Sequence, residues 1–381
     1  MLIKNANIYR NHLRQFVIGD ILISDGIVRE IGKLDDCTDT DVIDASGSYL
    51  IPGLIDVHTH GRMGVDFVES SPEEYGVATA DYAARGITTV MATLATAPLD
   101  KMLSATDALT RYEPRENEAT ICGVHWEGRY LNPAKKGAHA AELLAPLKAS
   151  DLIDNEEILR RCRAFHVTAA YELDEDGSFL AAVKALGGTA GLGHTEATFA
   201  EAKTLEKRKI SSYTHLFNAM PPLHHRDGGA VGSALLSKLP AELICDGIHI
   251  SPEMIRLVYR MKGVSKISLI SDSLGPAGCA DGQYYSAGLP VTITDGVART
   301  ESGVLAGSTL SVDRGLCNLM QYCGLPLSEA ILCATETPAR QVGIFDSCGS
   351  IDVGKRADIL FLSDRRKLDV DRVMLRGRFL S

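Results

Sequence analysis

Two histidines, one residue apart, end an apolar run in the segment PGLIDVHTHG at residues 52–61. Alternate residues of a β-strand face the same side, so His58 and His60 can grip one metal ion from a single strand end. Four more residues that can bind metal or transfer protons end later apolar runs. They are Glu127 in GVHWEG, His194 in GLGHTEA, His215 in SYTHLFNAM and Asp272 in LISDS. If these strand ends meet, the six side chains form one centre for metal-dependent chemistry.

Imidazole and carboxylate groups are typical ligands of Zn²⁺ and Fe²⁺, and an open coordination position lets such an ion bind water. The ion lowers the pKa of that water toward neutral and so supplies a nucleophile for hydrolysis. Hydrolysis of an amide also needs a group that accepts the water proton and hands it to the leaving amine. Asp272 is the candidate for this role, and a metal ligand or a structural cap is its alternative role.

The elements that must position these residues alternate between helices and buried strands. Ser251–Pro252 predicts the start of a helix, Gly263 predicts its end, and the apolar run KISLIS follows. Eight units over about 290 residues predict a (β/α)8 TIM-like barrel, in which the carboxyl ends of the strands converge on one mouth. The eight candidate strands are 51–58, 87–93, 120–127, 164–171, 188–194, 211–215, 242–248 and 266–272.

Both ends of the chain carry alternating patterns that are typical of strands. Asp25–Gly26 between two such patterns predicts a two-residue hairpin turn. We therefore expect a small β-sandwich domain built from residues 1–50 and 345–381, and a catalytic barrel over residues 51–344. Residues 281–304 predict a hairpin excursion after the eighth strand.

Composition limits the partners and the compartment. The formal net charge is −10, which argues against a nucleic acid or an anionic membrane surface as a partner. The nine cysteines form no CxxC pair, so we expect a reducing, cytoplasmic environment and no disulfide framework. No apolar run approaches the length of a membrane span.

The motifs resemble those of the amidohydrolase superfamily and, within it, those of the N-acetylglucosamine-6-phosphate deacetylases. The resemblance covers nearly the whole chain, and THLFNAM and LAGST are its most specific motifs. Its other motifs include PGLIDVHTHG, GITTVMAT, HWEGRYLNPAKKGAH, GHTEAT, DGIHISP and ISDS. It implies hydrolysis of N-acetyl-D-glucosamine 6-phosphate to D-glucosamine 6-phosphate and acetate, a reaction of amino-sugar catabolism.

The resemblance also implies a division of labour at the centre. Glu127, His194 and His215 are then the ligands of a principal divalent ion, zinc or iron, and His58 with His60 makes a second ion plausible. Asp272 corresponds to the acid–base residue. His139 corresponds to the group that polarises the acetyl carbonyl.

Substrate contacts follow from the same resemblance. Arg226, with His225 as a helper, is expected to bind the phosphate from the neighbouring subunit of a homodimer, because a guanidinium fork matches phosphate geometry. Asn218 and Ala219 are expected to contact the sugar phosphate. The other residues expected at the sugar are Ala138, His249, Leu305, Ala306, Gly307 and Ser308.

The chain departs from the family at Arg129, where a proline is usual. One alternative function is deacetylation of N-acetylgalactosamine 6-phosphate, because the two sugars are epimers that differ at one hydroxyl. A cyclic amidase is a second alternative, but it predicts a lysine at the end of strand four, where the chain has TAAYE. A non-catalytic assembly protein is a third, and such a protein would typically have lost one of the ligands.

Overall fold

A computed structural model describes residues 1–35, 41–286 and 288–380. Eight parallel strands form its centre and hydrogen-bond in the order in which they follow one another along the chain. This confirms the predicted (β/α)8 barrel. The strands are Leu54–Thr59 (β1), Ile87–Ala95 (β2), Thr120–Glu127 (β3), Phe165–Ala169 (β4), Thr189–Leu192 (β5), Ser212–Tyr213 (β6), Ala241–Ile244 (β7) and Ile267–Ile270 (β8).

Backbone hydrogen bonds just past the strand ends join β1 to β8. The N–H of Asp272 donates to the carbonyl of His58 at 2.9 Å, and the N–H of His60 donates to the carbonyl of Ser273 at 2.8 Å. The first and last strands therefore meet at the C-terminal mouth. Three of the residues that join them are among those predicted to do chemistry.

Several strands end earlier than the sequence predicts, because the backbone turns where the functional residues stand. Strand β5 ends at Leu192 and β6 at Tyr213. Beyond the strands, His194, His215 and Asp272 have φ of 47°, 27° and 50°. Positive φ is uncommon for residues other than glycine, and such strain clusters at functional sites. The turn carries these side chains over the mouth instead of along the barrel wall.

Helices surround the barrel, and successive residues of a strand face the helices and the barrel interior in turn. On β3, Trp126 faces outward and donates from Nε1 to Thr106 Oγ1 at 3.0 Å, whereas its neighbour Glu127 faces the mouth. The helix predicted after Ser251 is confirmed: it ends at Lys262, and Gly263 is its C-cap. No helix among the described residues has the length and apolar character needed to cross a bilayer.

The helices are Tyr75–Ala84 (α1), Leu99–Arg111 (α2), Ala149–Ile153 (α3), Glu156–Leu159 (α4), Ser178–Ala185 (α5), Phe199–Lys207 (α6), Gly229–Leu236 (α7), Pro252–Lys262 (α8), Val312–Cys323 (α9), Leu327–Ala330 (α10) and Glu336–Gln341 (α11). Short 3₁₀ helices lie at Pro133–Lys135, Ala141–Leu143, Tyr171–Leu173, Val264–Lys266 and Ile331–Ala334.

The two ends of the chain build one separate sheet. Its eight strands are Leu2–Arg10, Gln15–Ser24, Ile27–Gly32, Val42–Asp44, Tyr49–Pro52, Ile359–Leu362, Val370–Leu375 and Arg378–Phe379. Asp25 and Gly26 form the predicted hairpin turn, with φ of 54° and 72°. An apolar core of its own includes Ile21, Phe361 and Met374. The domain boundaries near residues 50 and 345 stay predictions.

Two smaller sheets lie beside the barrel mouth. Gly61–Arg62 pairs with Val65–Asp66, directly after the two histidines of β1. Gly282–Ser286, Leu289–Thr294 and Val297–Thr300 form a three-stranded antiparallel sheet, which we call the β-flap. The β-flap confirms the hairpin excursion predicted for residues 281–304 and adds a third strand to it.

Candidate metal-dependent active site

The carboxylate of Glu127 lies between four imidazoles at the mouth of the barrel. Its Oε1 is 2.8 Å from His215 Nε2 and 3.4 Å from His194 Nε2. Its Oε2 is 2.9 Å from His60 Nε2 and 3.2 Å from His58 Nε2. All five side chains are buried. The two oxygens thus divide the cluster into a half with His194 and His215 and a half with His58 and His60.

Asp272 closes the second half and faces the cavity. Its Oδ1 is 3.4 Å from His60 Nε2 and 3.5 Å from His58 Nε2. Burial raises the pKa of this carboxyl, but the charge of His58 and the hydrogen bond to His60 outweigh burial and hold the pKa below its ordinary value. Asp272 is therefore a carboxylate that can accept a proton inside the cavity.

The hydrogen bonds around the imidazoles test whether these residues fit a divalent ion. His194 donates from Nδ1 to the carbonyl of Lys135 at 2.8 Å, and His58 lies with Nδ1 3.0 Å from a buried carboxylate of Glu242. In a neutral ring both bonds leave the lone pair on Nε2, the atom that faces Glu127. The Nε2 of His58 is buried and makes no hydrogen bond with any residue that the structure describes. A lone pair that faces carboxylate oxygens needs a cation between them, so the donor set fits a metal.

The electrostatics agree with this fit. Burial lowers the pKa of His60, but its hydrogen bonds to Asp272 and Glu127 raise the pKa to about 9. The site therefore stabilises positive charge between its imidazoles and carboxylates. Two sets of side chains lie close enough to hold an ion: one is His58, His60, Glu127 and Asp272, and the other is Glu127, His139 and His194.

His139 is held in one tautomer by Thr96. The backbone N–H of Thr96 points to His139 Nδ1 at 3.4 Å, and the Thr96 hydroxyl lies 2.8 Å from the same atom. Because Thr96 Oγ1 already accepts the N–H of Arg129 at 3.1 Å, its own proton is free to be donated to His139. Burial and the neighbouring His194 lower the pKa of His139 to about 3. The ring is therefore neutral and carries its proton on Nε2, toward the site.

Seven of the predicted substrate contacts line the cavity above the cluster. The imidazole of His249 is one of them, and Asp246 Oδ2 holds its Nδ1 at 2.6 Å. The others are Ala138, Asn218, Ala219, Leu305, Ala306 and Gly307. Ser308 does not line the cavity. Its hydroxyl donates to the carbonyl of Ser271 at 2.5 Å, so this side chain fastens the loop beside Asp272.

Three basic side chains that the sequence analysis singled out lie outside the cavity. His225 and Arg226 are exposed and bond to each other at 2.9 Å, outside the cavity of their own chain. Arg129 turns its guanidinium to the carbonyl of Ala97 at 3.2 Å and does not face the cavity. No lysine or arginine is among the described residues that line this cavity.

The sequence missed three parts of the site. Thr96 contacts His139, Glu242 contacts His58, and the β-flap contributes one wall of the cavity with Ser286, Leu289 and Val291. A glutamate in the middle of the apolar run AELIC was the available sign for Glu242. The other two carry no sign in the sequence that separates them from ordinary strand residues.

A barrel whose C-terminal mouth gathers imidazoles and carboxylates in this way defines a metal-dependent hydrolase. Residues 49–380 match the Amidohydrolase family, and the chain belongs to that family, among its N-acetylglucosamine-6-phosphate deacetylases.

Comparison with individual proteins places similar chains in several bacteria. The N-acetylglucosamine-6-phosphate deacetylase of Vibrio furnissii is 31% identical over 93% of this chain and 88% of its own. The N-acetylgalactosamine-6-phosphate deacetylase of Escherichia coli O157:H7 is 32% identical over 94% of both chains. The crystal structure of the N-acetylglucosamine-6-phosphate deacetylase of Thermotoga maritima has a TM-score of 0.88 and 30% identity, covering 100% of this chain and 99% of its own.

Proposed function

We propose that this chain hydrolyses the acetamide of N-acetyl-D-glucosamine 6-phosphate to D-glucosamine 6-phosphate and acetate. The observation that carries this proposal is Glu127 among four imidazoles, with Asp272 and His139 beside it in one cavity. The names of the Vibrio and Thermotoga relatives support the substrate. The galacto epimer is a second candidate, since the similar E. coli relative is named for it.

The residues divide the reaction between them. When bound, a divalent ion, zinc or iron, polarises the acetyl carbonyl and lowers the pKa of the attacking water. Glu127, His194 and His215 are the proposed ligands of the first ion, and His58 with His60 of a second. Asp272 accepts the proton of the attacking water and delivers it to the amine nitrogen as the C–N bond breaks. His139 donates from Nε2 to the oxygen on which negative charge develops.

Replacement of Thr96 by valine tests the role of His139. We expect kcat to fall about fivefold with little change in KM, since a hydrogen bond of this kind contributes about 1 kcal/mol and serves the transition state. Steady-state kinetics of T96V measures the effect. Thr106→Val is a matched control, because Thr106 is equally buried but bonds Trp126 on the outer side of the barrel. A T96V enzyme with the kcat of the wild type would contradict the role.

The phosphate group requires a cation that this cavity lacks among its described lining residues. We propose that Arg226, with His225, reaches the active site of the neighbouring subunit in a homodimer. Both side chains are exposed on the loop after β6, next to Leu223, which is 45% exposed. A surface arginine with this geometry is available to a second copy of the chain.

Arg226→Ala is therefore expected to raise KM for phosphorylated substrate about 10- to 100-fold, the value of one charge-assisted hydrogen bond of about 1.5–3 kcal/mol. Hydrolysis of unphosphorylated N-acetylglucosamine should not change. Arg365→Ala replaces another exposed arginine and serves as the control. An equal loss with both sugars would refute the assignment of Arg226 to the phosphate.

Two other functions receive less support. A cyclic amidase expects a lysine at the end of β4, but the chain has Ala169 and Ala170 there. A non-catalytic barrel would not need the six gathered side chains. Eight cysteines in the described part of the chain are free thiols, which supports the proposed cytoplasmic location.

Release of free amine from three sugars tests the proposed function. N-acetylglucosamine 6-phosphate should give the highest kcat/KM, its galacto epimer a lower one, and the unphosphorylated sugar the lowest. A preference for the galacto epimer would transfer the assignment to that substrate. Turnover of neither phosphorylated sugar would refute the proposal.

A further inference from the structure

A buried carboxylate lies directly beneath the His58 half of the site. Glu242 is the second residue of β7 and is fully buried. Its Oε2 is 3.0 Å from His58 Nδ1 and accepts the backbone N–H of His215 at 3.2 Å. Its Oε1 accepts Gln341 Nε2, from the end of α11, at 2.6 Å. Both oxygens are thus in use, and each faces a nitrogen donor.

Burying a carboxylate inside a barrel costs free energy unless its partners compensate for lost water. Oε2 of Glu242 accepts the backbone N–H of His215, and Oε1 accepts the side-chain amide of Gln341. With an N–H donor on each oxygen, Glu242 acts as a carboxylate that accepts hydrogen bonds only. His58 Nδ1, which faces Oε2, is therefore the donor and carries a proton.

This arrangement distinguishes His58 from the other imidazoles around Glu127. The Nδ1 atoms of His60 and His215 are buried and make no hydrogen bond with a described residue, and His194 Nδ1 donates to a backbone carbonyl. Only His58, among these four, has a carboxylate on Nδ1 within the described chain. A carboxylate in that position fixes the ring, leaves the lone pair on Nε2 and raises the basicity of the ligand.

We infer that Glu242 is the positioning residue that holds His58 ready to bind a metal ion in the His58–His60 half of the site, and that Gln341 in turn holds Glu242. The inference rests on the proposed function, since it concerns one of the two metal positions proposed there. It connects α11, near the end of the barrel, to the metal centre through two side chains.

Titration of Zn²⁺ into metal-free protein, with a competing chelator and calorimetric detection, tests the inference. We expect the wild type to bind two ions. In Glu242→Gln one ion should bind about 10- to 100-fold more weakly, the usual effect of losing such a partner, and the other ion should keep its affinity. In a His58→Ala background the Glu242→Gln change should have no further effect, because Glu242 acts through His58.

Two further variants keep the test decisive. Gln341→Met leaves the charge of Glu242 in place but removes the bond to its Oε1, and should weaken the same ion by a smaller factor. Glu118→Gln is the matched control, because Glu118 is a buried carboxylate that accepts Tyr112 Oη at 2.6 Å just before the start of β3, away from the mouth. It should leave both affinities unchanged. If Glu242→Gln does not fold, Gln341→Met and His58→Ala decide the question.

The outcomes separate this inference from the proposed function. Equal weakening of both ions, or further weakening by Glu242→Gln in the His58→Ala background, would overturn the positioning role. A wild type that binds one ion with an affinity indifferent to His58→Ala would overturn it also, while hydrolysis at Glu127, His194 and His215 would stand. A wild type that binds no metal would overturn the proposed function itself.

Discussion

Asp272→Asn is expected to lower kcat about 10²- to 10⁴-fold, the range that a positioned acid–base group contributes. The amide oxygen of asparagine cannot take the proton of the attacking water and return it to the amine. The fold should survive, because asparagine tolerates the positive φ of 50° at this position and keeps the backbone bond from residue 272 to the carbonyl of His58. The loss should appear in kcat and kcat/KM alike.

The same protein sample should be analysed for metal. Asp272 contacts His58 and His60, so its replacement by asparagine should not remove an ion bound at His194 and His215. We expect the first ion to be retained in Asp272→Asn. Asp174→Asn is a matched control, because Asp174 is buried and accepts the N–H groups of Phe179 and Leu180 at the start of α5. That variant should lose stability and keep its kcat. Turnover by Asp272→Asn within threefold of the wild type would remove Asp272 from the proton transfer.

Glu127→Gln is expected to have the second large effect, and on metal content as well as on rate. Glu127 faces both halves of the cluster, at 2.8 Å from His215 and 2.9 Å from His60. A neutral amide is a poor ligand and leaves the imidazoles without their counter-charge. A bound Lewis acid lowers the activation barrier by several kcal/mol. Without it, kcat/KM should fall on the order of 10³-fold.

Elemental analysis and kinetics of Glu127→Gln together check this prediction. Added Zn²⁺ should restore part of the activity if affinity alone is lost, and the titration should be shifted to higher metal concentration. Glu118→Gln again provides a buried glutamate away from the mouth. Full metal content with full activity in Glu127→Gln would contradict the arrangement of the two halves around one carboxylate.

Much of this centre could be predicted because strand periodicity and barrel geometry are simple rules. Alternate residues along a strand face the same side, so the segment PGLIDVHTHG alone predicted that His58 and His60 lie together. The other ligands follow from the rule that parallel strands share one C-terminal edge. The rule places residues at the edge without giving the turn of the backbone, which explains why the predicted ranges extended past Leu192 and Tyr213.

The positioning residues could not be predicted, since their partners are distant in the chain. His58 and Glu242 are 184 residues apart, and the sequence around one residue does not indicate its contact with the other. Thr96 acts through a hydroxyl and a backbone N–H that most strand residues possess. Its contact with His139 depends on Gly128, where a Cβ would lie 2.4 Å from the backbone N of Thr96. Arg226 lies on the surface of its own chain, away from the cavity, so the cavity residues give no sign of it.

Ser308 illustrates the limit of a motif. The segment LAGST is one of the motifs that carry the family resemblance, and its residues Leu305, Ala306 and Gly307 line the cavity. Ser308 belongs to the same segment, but its hydroxyl turns back to the carbonyl of Ser271. A motif indicates that a segment belongs to the site. The hydrogen bonds of each side chain decide whether that side chain faces the cavity.

Removal of the metal is the most direct test of the central account. The wild-type protein is stripped with a strong chelator, freed of it, and assayed for glucosamine 6-phosphate released from N-acetylglucosamine 6-phosphate before and after addition of Zn²⁺ or Fe²⁺. We expect the stripped protein to be nearly inactive and one of the two ions to restore turnover in proportion to the ion bound. Undiminished hydrolysis by fully stripped protein would contradict the claim that imidazoles and carboxylates from six places in the chain act through a metal ion.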